Sequence, residues 1–277
     1  MSARLEAARP AAPRRAGTTR AAWLRLPSAR LASPLALLVA WELAARLGWI
    51  PPHVLPAPSA IADTFVELVG SGRLETHLLV SLRRATAGLA IGVVLGVVFA
   101  LIAGLWRRGE LAVDPPMQIL RTLPFLGVVP LFILWFGIGE TTKIALIALA
   151  TKTPIYLTLY GGIRNIDPKL IEAGDSLGLG VLERIVHVVL PGALPAFFVG
   201  LRYALGVALL ALVAVEQINA TAGIGYLINE ARDFMRTDVI VVCLVVYSLL
   251  GLLTDALVRS LEQRTLRWRP ASPATAP

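Results

Sequence analysis

The chain has 277 residues, of which 56% are hydrophobic and 16% charged, and its formal net charge at pH 7 is +8. Its mean hydropathy of +0.72 is far above that of soluble globular proteins and indicates an integral membrane protein. The positive charge lies beside apolar segments and in an N-terminal tail rather than on one amphipathic face, so no nucleic-acid partner is expected.

The N-terminal segment, residues 1–30, is rich in Ala, Pro and Arg and lacks apolar periodicity, which predicts a disordered basic tail. Arg14 and Arg15 resemble a twin-arginine signal. The apolar run that follows contains Glu42 and Arg46 and has no small-residue cleavage site, so it is expected to remain as an uncleaved first span. Glu42 and Arg46 are four residues apart and are predicted to neutralise one another on one helix face.

Apolar stretches of membrane-spanning length recur along the rest of the chain. A bilayer core of roughly 30 Å needs about 20 apolar residues of helix. The sequence therefore predicts an all-α, polytopic fold with six transmembrane helices, at Leu31 to Ile50, Thr86 to Trp106, Leu120 to Gly139, Lys143 to Ile163, Leu194 to Val215 and Val239 to Val258.

The basic residues predict the orientation of these spans, because Lys and Arg are retained on the cytoplasmic side. Most of them fall in the two terminal segments and in the loops that follow the second and fourth spans. Both termini are therefore predicted to be cytoplasmic. Arg121, just inside the start of the third span, is counted with the cytoplasmic residues. The outer loops hold few basic residues, namely Arg73, Lys143, Arg232 and Arg236.

The polar segment between the fourth and fifth spans is predicted to form two short helices in the cytoplasm. Asp167 followed by Pro168 is a helix start, with an N-cap oxygen and then a residue that lacks an N–H. Gly178 and Gly180 are predicted to end this first helix, because glycine accepts the left-handed conformation. Apolar residues recur at helical spacing in both helices: Leu170, Ile171, Gly174 and Leu177, then Val181, Leu182, Ile185, Val186 and Val189.

The run EAGDSLGLGVLERIVHVVLP, from Glu172 to Pro191, resembles the EAA loop of ABC importer permeases. Gly174 stands where that family usually has a second Ala, and Val188 where it usually has Ile. Six positions fall in register with the family pattern, namely Glu172, Ala173, Gly178, Val188, Leu190 and Pro191.

The resemblance implies a function for this segment and for the chain. In the family, the segment docks into a cleft of the ATPase subunit, so Glu172, Ala173, Gly174 and Gly178 are predicted coupling residues and Leu190 and Pro191 are predicted to fix the return into the membrane. It also implies a homodimer that works with two ATPase subunits and a periplasmic or lipid-anchored solute-binding protein, in a bacterial inner membrane. The chain itself would be no enzyme and would hold no cofactor or metal.

Further stretches resemble the sulfonate, taurine and nitrate branch of these permeases, which also contains permeases for riboflavin and a thiamine pyrimidine precursor. The predicted domains are the tail 1–30, a permease domain 31–265 with the coupling loop 164–191, and a cytoplasmic tail 266–277. The stretches are LPAPSAI from Leu55, LWFGIG from Leu134, GGIRNIDPKLIEAG from Gly161, VVLPGALPAFFVGLR from Val188 and LRWR from Leu266.

Small residues and prolines within the spans suggest how the helices pack and bend. Glycines every four or eight residues in the second span would let another helix approach closely, and packing is the favoured interpretation over contact with substrate. Prolines kink helices, and broken helices at membrane depth border cavities, although proline is also common in membrane helices generally. The residues concerned are Gly88, Gly92, Gly96, Gly104, Pro130 and Pro154.

Lys152, some ten residues into the fourth span, is the clearest charge at membrane depth and a functional candidate for that reason. It would face the translocation cavity and favour an anionic or polar cargo, or else snorkel or pair within the bundle. Glu216, near the outer end of the fifth span, adjoins a loop with Gly223 and Gly225 that could belong to an outer gate.

Two other classes of membrane protein are the alternatives. An intramembrane protease would need GxSG or HExxH, and neither occurs; the sequence has one cysteine, Cys243, and its three histidines are dispersed. A secondary transporter would suit kinked helices and a buried lysine. It would not account for the EAA pattern, and it would run without ATP.

Overall fold

The computed structural model describes residues 27–268, and this part of the chain is helical with no strand, so the all-α prediction is confirmed there. The predicted disordered tail lies outside the described residues up to residue 26, and its last four residues begin a helix. The helices are α1 (Pro27–Arg46), α2 (Pro58–Gly70), α3 (Arg73–Leu105), α4 (Arg107–Thr122), α5 (Phe125–Phe136), α6 (Glu140–Arg164), α7 (Pro168–Ser176), α8 (Val181–Arg184), α9 (Leu190–Gln217), α10 (Ile224–Asp233) and α11 (Thr237–Thr265), with a π-helical turn at Ile185–Val189 between α8 and α9.

Four helices of the described part are long and apolar enough to cross a membrane: α3, α6, α11 and the continuous helix formed by α8, the π turn and α9. The pair α4 and α5 passes the same criterion only when taken together, which makes up to five spans. The helix at the predicted first span, α1, is not among them. By length and composition alone, the described residues therefore support four or five membrane spans rather than the predicted six.

The predicted third span, Leu120 to Gly139, is wrong as a single helix. The chain bends by 107° between α4 and α5. Leu123 has an extended conformation, with φ −68° and ψ 131°, because the ring of Pro124 disfavours helical geometry in the residue before it. The segment that runs antiparallel to α6 is α4, which the sequence assigned mostly to an inner loop.

The glycine stripe of α3 lies against α6. A Cβ atom built on Gly88 would be 2.6 Å from the Cβ of Ile147, and one on Gly96 would be 2.7 Å from the Cβ of Ile155. Contacts advance by four residues on both helices together, so α3 and α6 run in the same direction. The facing pairs are Gly88 with Ile147, Gly92 with Thr151, Gly96 with Ile155 and Gly104 with Ile163.

α6 also packs against α9, which runs in the reverse direction. Gly200 of α9 faces Thr158, and Gly162 of α6 faces Ala196. The end of the bundle at which α6 stops carries α7 and α8, which we call the knob (residues 168–184). The end at which α6 begins is called the far end. One apolar core cluster centres on the far half, with Leu146, Leu212 and Cys243, and a second on the knob half, with Tyr156, Val189 and Ala193.

Candidate functional site

The knob begins at Asp167, as the sequence predicts. Its side chain accepts a hydrogen bond from the backbone N–H of Lys169 at 2.9 Å, and Pro168 occupies the first helical turn. Both features favour helix initiation, because the first N–H groups of a helix have no partner within it. The start of α7 is thus encoded locally.

The three residues at the Glu-Ala-Ala positions of the EAA pattern differ in exposure. Glu172 and Ala173 are exposed on α7, whereas Gly174 is buried. A Cβ atom at Gly174 would lie 3.4 Å from the Cδ1 of Leu179, so this position has room for a methyl group at most. The family's usual Ala and this chain's Gly therefore satisfy the same steric requirement.

Gly178 turns the chain between the two helices of the knob. Its φ is +76°, in the left-handed region, and nothing lies within 4 Å of a Cβ built there. The N–H of Leu179 donates to the carbonyl of Gly174 at 3.1 Å, and the N–H of Gly178 donates to the carbonyl of Asp175 at 3.0 Å. Glycine is needed here for its backbone conformation, since space is not limiting.

The second helix of the knob differs from the prediction. Instead of a separate amphipathic helix that stops before the membrane, α8 passes through the π turn directly into α9. Pro191 lacks an N–H and its ring would clash with the carbonyl of His187, which explains why the helix widens there. Leu190 and Pro191 therefore lie within a continuous helix.

The surface of the knob is unusually apolar. Leu170 is 54% exposed, Leu177 81%, Leu182 73% and Val181 61%. An ion pair between Asp175 of α7 and Arg184 of α8 holds the two helices together beside these side chains. The predicted apolar faces therefore exist, but most of their large side chains are not covered by this chain.

A cleft of about 640 Å³ opens at the bend between α4 and α5 and is bordered by α6 and α9. Pro154 lines it, whereas Lys152, Pro130 and Glu216 do not. Of the four residues predicted for a translocation path, one is thus at this cleft. Its full lining is Leu120, Arg121, Leu123, Phe125, Leu126, Val128, Leu131, Phe132, Trp135, Leu149, Ala150, Thr153, Pro154, Val207, Leu210, Ala211 and Ala214.

Lys152 is not among the residues that line the cleft, and its side chain packs against α4. Its side chain is buried, and its Nζ lies 3.5 Å from the Sδ of Met117. The next two turns of the same interface carry hydrogen bonds from Tyr156 to Asp114 at 2.8 Å and from Tyr160 to Glu110 at 2.9 Å. The geometry favours the alternative in which Lys152 belongs to the packed bundle.

Glu216 is at the centre of a buried polar cluster at the far end. It is fully buried and accepts hydrogen bonds from Arg84 at 2.8 Å, from Ser81 at 2.8 Å and from the backbone N–H of Gly225 at 2.9 Å. Arg84 also donates to both carboxylate oxygens of Glu140 at 2.6 Å. The cluster ties α10 to α3, α6 and α9.

Arg84 and Ser81 were not singled out from the sequence. They lie ahead of the predicted second span, which begins at Thr86, whereas α3 begins at Arg73. The available signal in the sequence is an arginine and a serine three residues apart, just ahead of an apolar segment of membrane-spanning length. The described residues contain no group of three or more His, Cys, Asp or Glu side chains that could hold a metal.

The model of the family described as "Binding-protein-dependent transport system inner membrane component" matches residues 92–267. The chain belongs to this family. The matched range of the permease contains the knob, the cleft and Glu216, and the predicted resemblance to ABC importer permeases is confirmed. As a member, the chain is a multi-pass protein of the inner membrane.

Relatives of this permease extend over most of its length. It is 47% identical to the aliphatic sulfonates transport permease protein SsuC of Escherichia coli (strain K12), over 86% of this chain and 90% of that protein. It is 41% identical to the SsuC protein of Bacillus subtilis (strain 168), over 91% of this chain and 90% of that one. The taurine transport system permease protein TauC of E. coli (strain K12) is 35% identical, over 84% of this chain and 86% of that protein. The predicted branch is therefore confirmed.

Solved structures similar to the permease support the fold. The inward-facing methionine ABC transporter MetNI matches with a TM-score of 0.57 at 19% sequence identity. The match covers 73% of this chain and 98% of the MetNI chain. An amino acid ABC transporter with histidines matches with a TM-score of 0.56, also at 19% identity, over 72% and 98%. At this identity the likeness concerns the fold alone.

Proposed function

We propose that the chain is the membrane-spanning permease subunit of an ATP-driven importer and that the knob is its contact with the ATPase. The observation that carries this proposal is the knob itself. It presents Leu177 and Leu182 at 81% and 73% exposure beside the exposed Glu172. A set of large apolar side chains rimmed by charge is typical of a protein interface.

The coupling residues have separate tasks in this proposal. Glu172 and Ala173 contact the ATPase, Gly174 lets α7 approach the second helix, and Gly178 sets the angle between them. Leu190 and Pro191 begin α9 directly after the π turn that joins it to the knob. Because α8, the π turn and α9 form one continuous helix, a displacement of the knob is transmitted to the span that borders the cleft.

The proposed topology has six spans with both termini in the cytoplasm. The spans are α1, α3, the bent pair α4 and α5, α6, α9 and α11. The parallel course of α3 and α6 and the antiparallel course of α4 and α9 support this alternation, since even-numbered spans must run in the same direction. The knob then lies in the cytoplasm. Two copies of the chain pair with two ATPase subunits.

The proposed cargo is a small alkyl sulfonate such as an aliphatic sulfonate or taurine, delivered by a solute-binding protein. The names of the relatives favour this class over nitrate, riboflavin or thiamine-precursor cargoes. The cleft between α4, α5, α6 and α9 is the proposed translocation path, on which Pro154 lies. Lys152 and Glu216 then act in the packing of the bundle.

The test is affinity purification of the tagged chain from its native membranes in mild detergent, followed by mass spectrometry. The unmodified chain should retain a near-equimolar ATPase, and Glu172→Lys should lose it while remaining inserted. The matched control is Glu75→Lys, which places the same charge change on an exposed residue at the far end of α3 and should keep the ATPase.

Two outcomes contradict the proposal. An unmodified chain that retains no ATPase points to ATP-independent transport. A Glu172→Lys variant that binds the ATPase and imports cargo normally removes the knob from the mechanism.

A further inference from the structure

Arg121 lies level with the middle of the helix bundle rather than at its knob end. It belongs to the last turn of α4, which runs antiparallel to α6. The contacts between α6 and α4 advance towards the far end by one helical turn at a time. They are Tyr160 with Glu110, Tyr156 with Asp114 and Lys152 with Met117.

One further turn along α4 brings Arg121 level with Leu149, and both residues line the cleft. Since α6 extends from Glu140 to Arg164, this level is close to the middle of that helix. In the proposed topology, Arg121 is therefore at membrane depth rather than at the cytoplasmic end of the spans.

Arg121 is the charged side chain of an otherwise apolar cleft. The other lining residues are aliphatic or aromatic, apart from the hydroxyl of Thr153 and the indole N–H of Trp135. Arg121 is exposed, and no ion pair involves it among the described side chains. A cation at membrane depth is costly, so such a residue marks a functional site by default.

A role at the end of a helix explains only part of this arrangement. A basic residue in the last turn is favoured by the helix dipole, and Arg121 has that position. The dipole does not require the side chain to border a cavity. The 107° bend that follows it moves α5 aside and opens the cleft next to it.

We propose that Arg121 binds the anionic head of the cargo within the cleft, while the apolar wall accepts the alkyl part. This inference rests on the proposed function and names the site that selects the cargo. A guanidinium presents a planar set of donors that can bind two oxygens of an oxyanion at once. Phe125, Phe132 and Trp135 supply the apolar surface. The volume of about 640 Å³ is in the usual range for small-ligand sites.

The test uses the complete transporter, containing this chain, its ATPase and its binding protein, in proteoliposomes loaded with ATP. The probe is radiolabelled ethanesulfonate. Arg121→Gln should reduce the maximal uptake rate by about tenfold or more, because a charge-assisted hydrogen bond is lost. The concentration that gives half-maximal uptake should change less than about twofold, since capture by the binding protein precedes this step.

Two further variants separate the charge of Arg121 from a role in folding. Arg121→Lys should keep a larger share of the uptake rate than Arg121→Gln. Arg108→Gln, on the same helix but at its exposed knob end, should behave as the unmodified chain. The ATPase should co-purify with all three variants in equal amount.

A cysteine variant covers the case in which Arg121→Gln folds poorly. Cys243 is the single native cysteine and is buried. In a Cys243→Ala background, Arg121→Cys should regain uptake on reaction with a thiol reagent that carries an ammonium group. A reagent that carries a sulfonate should give no recovery.

The outcomes distinguish this inference from the proposed function. If the unmodified transporter imports ethanesulfonate and Arg121→Gln does so at an equal rate, Arg121 does not bind the cargo and the proposed function stands. Equal recovery with both thiol reagents overturns the inference in the same way. If the unmodified transporter holds an ATPase but imports no sulfonate, the proposed cargo class fails and the role of Arg121 fails with it.

Discussion

Arg84 and Glu216 form a buried ion pair between α3 and α9, with 2.8 Å between Nη1 and Oε1 and side chains that are 3% and 0% exposed. Glu216 also accepts a hydrogen bond from the backbone N–H of Gly225, so the pair anchors α10. We expect Glu216→Ala to lower the free energy of unfolding by about 3 kcal/mol, because it leaves Arg84 with less compensation for its buried charge. Thermal unfolding of the purified chain in detergent measures this.

The control for that prediction is Glu230→Ala at the same end of the bundle. Glu230 pairs with Arg73 at 2.8 Å, but the two side chains are 30% and 49% exposed. Exposed pairs contribute less than about 1 kcal/mol. Equal losses in the free energy of unfolding for the two variants would show that the buried pair contributes no more to stability than the exposed one. Faster hydrogen exchange in α10 of Glu216→Ala, but not of Glu230→Ala, is the second readout.

Gly92 is predicted to tolerate no side chain. A Cβ atom there would lie 1.9 Å from the Oγ1 of Thr151 and 2.9 Å from the carbonyl oxygen of Ala148. Gly92→Ala should destabilise the chain by about 1–2 kcal/mol, because overpacking exceeds the gain in helix propensity. Gly206→Ala on α9, with nothing within 4 Å, should be neutral or stabilising. The two variants are compared by the fraction of purified protein that stays monodisperse after heating. A reduced fraction for both variants would contradict the packing argument.

The sequence predicts best those features that are encoded locally. The second, fourth, fifth and sixth spans overlap α3, α6, α9 and α11 because each contains an apolar run of spanning length. The Asp167 cap and the turn at Gly178 follow from side-chain and backbone chemistry within a few residues. The pairing of Glu42 with Arg46 at 2.5 Å is of the same kind.

The third span and the buried cluster could not be predicted in this way. Phe125–Phe136 is the most apolar stretch of that region, but it has only 12 residues and is turned aside at Pro124. The less apolar α4 takes its place beside α6, so Arg121 lines the cleft. Arg84 and Glu216 are 132 residues apart in the chain, and no periodicity links residues at such separation.

Lys152 is expected to be dispensable for transport. Its Nζ has the weakly accepting Sδ of Met117 at 3.5 Å, and the side chain is buried beside α4. Lys152→Met keeps a side chain of similar length and removes a buried cation, so the free energy of unfolding should stay equal or rise by about 1 kcal/mol. Uptake should remain within about twofold. Arg108→Met, at an exposed position of α4 outside the knob, is the control for the loss of a cation as such. Loss of uptake by Lys152→Met at unchanged stability would instead assign Lys152 to the translocation path.

Gly178 and Gly180 provide a matched pair for testing whether the shape of the knob matters to coupling. Gly178 has φ +76°, whereas Gly180 has φ −65° and ψ 166°, which alanine adopts freely. A Cβ atom has open space at Gly178 and an ordinary contact, 3.6 Å from the Glu183 carboxylate, at Gly180.

The two alanine variants should therefore differ through backbone conformation alone. Gly178→Ala strains the turn by about 1–2 kcal/mol, which should weaken ATPase association about 5- to 30-fold. Gly180→Ala should change it less than about twofold. Association is measured by titrating the purified ATPase against the chain in nanodiscs. An equal affinity for both variants would mean that the ATPase does not depend on the angle between α7 and α8, and that Gly178 is there only to let the chain turn.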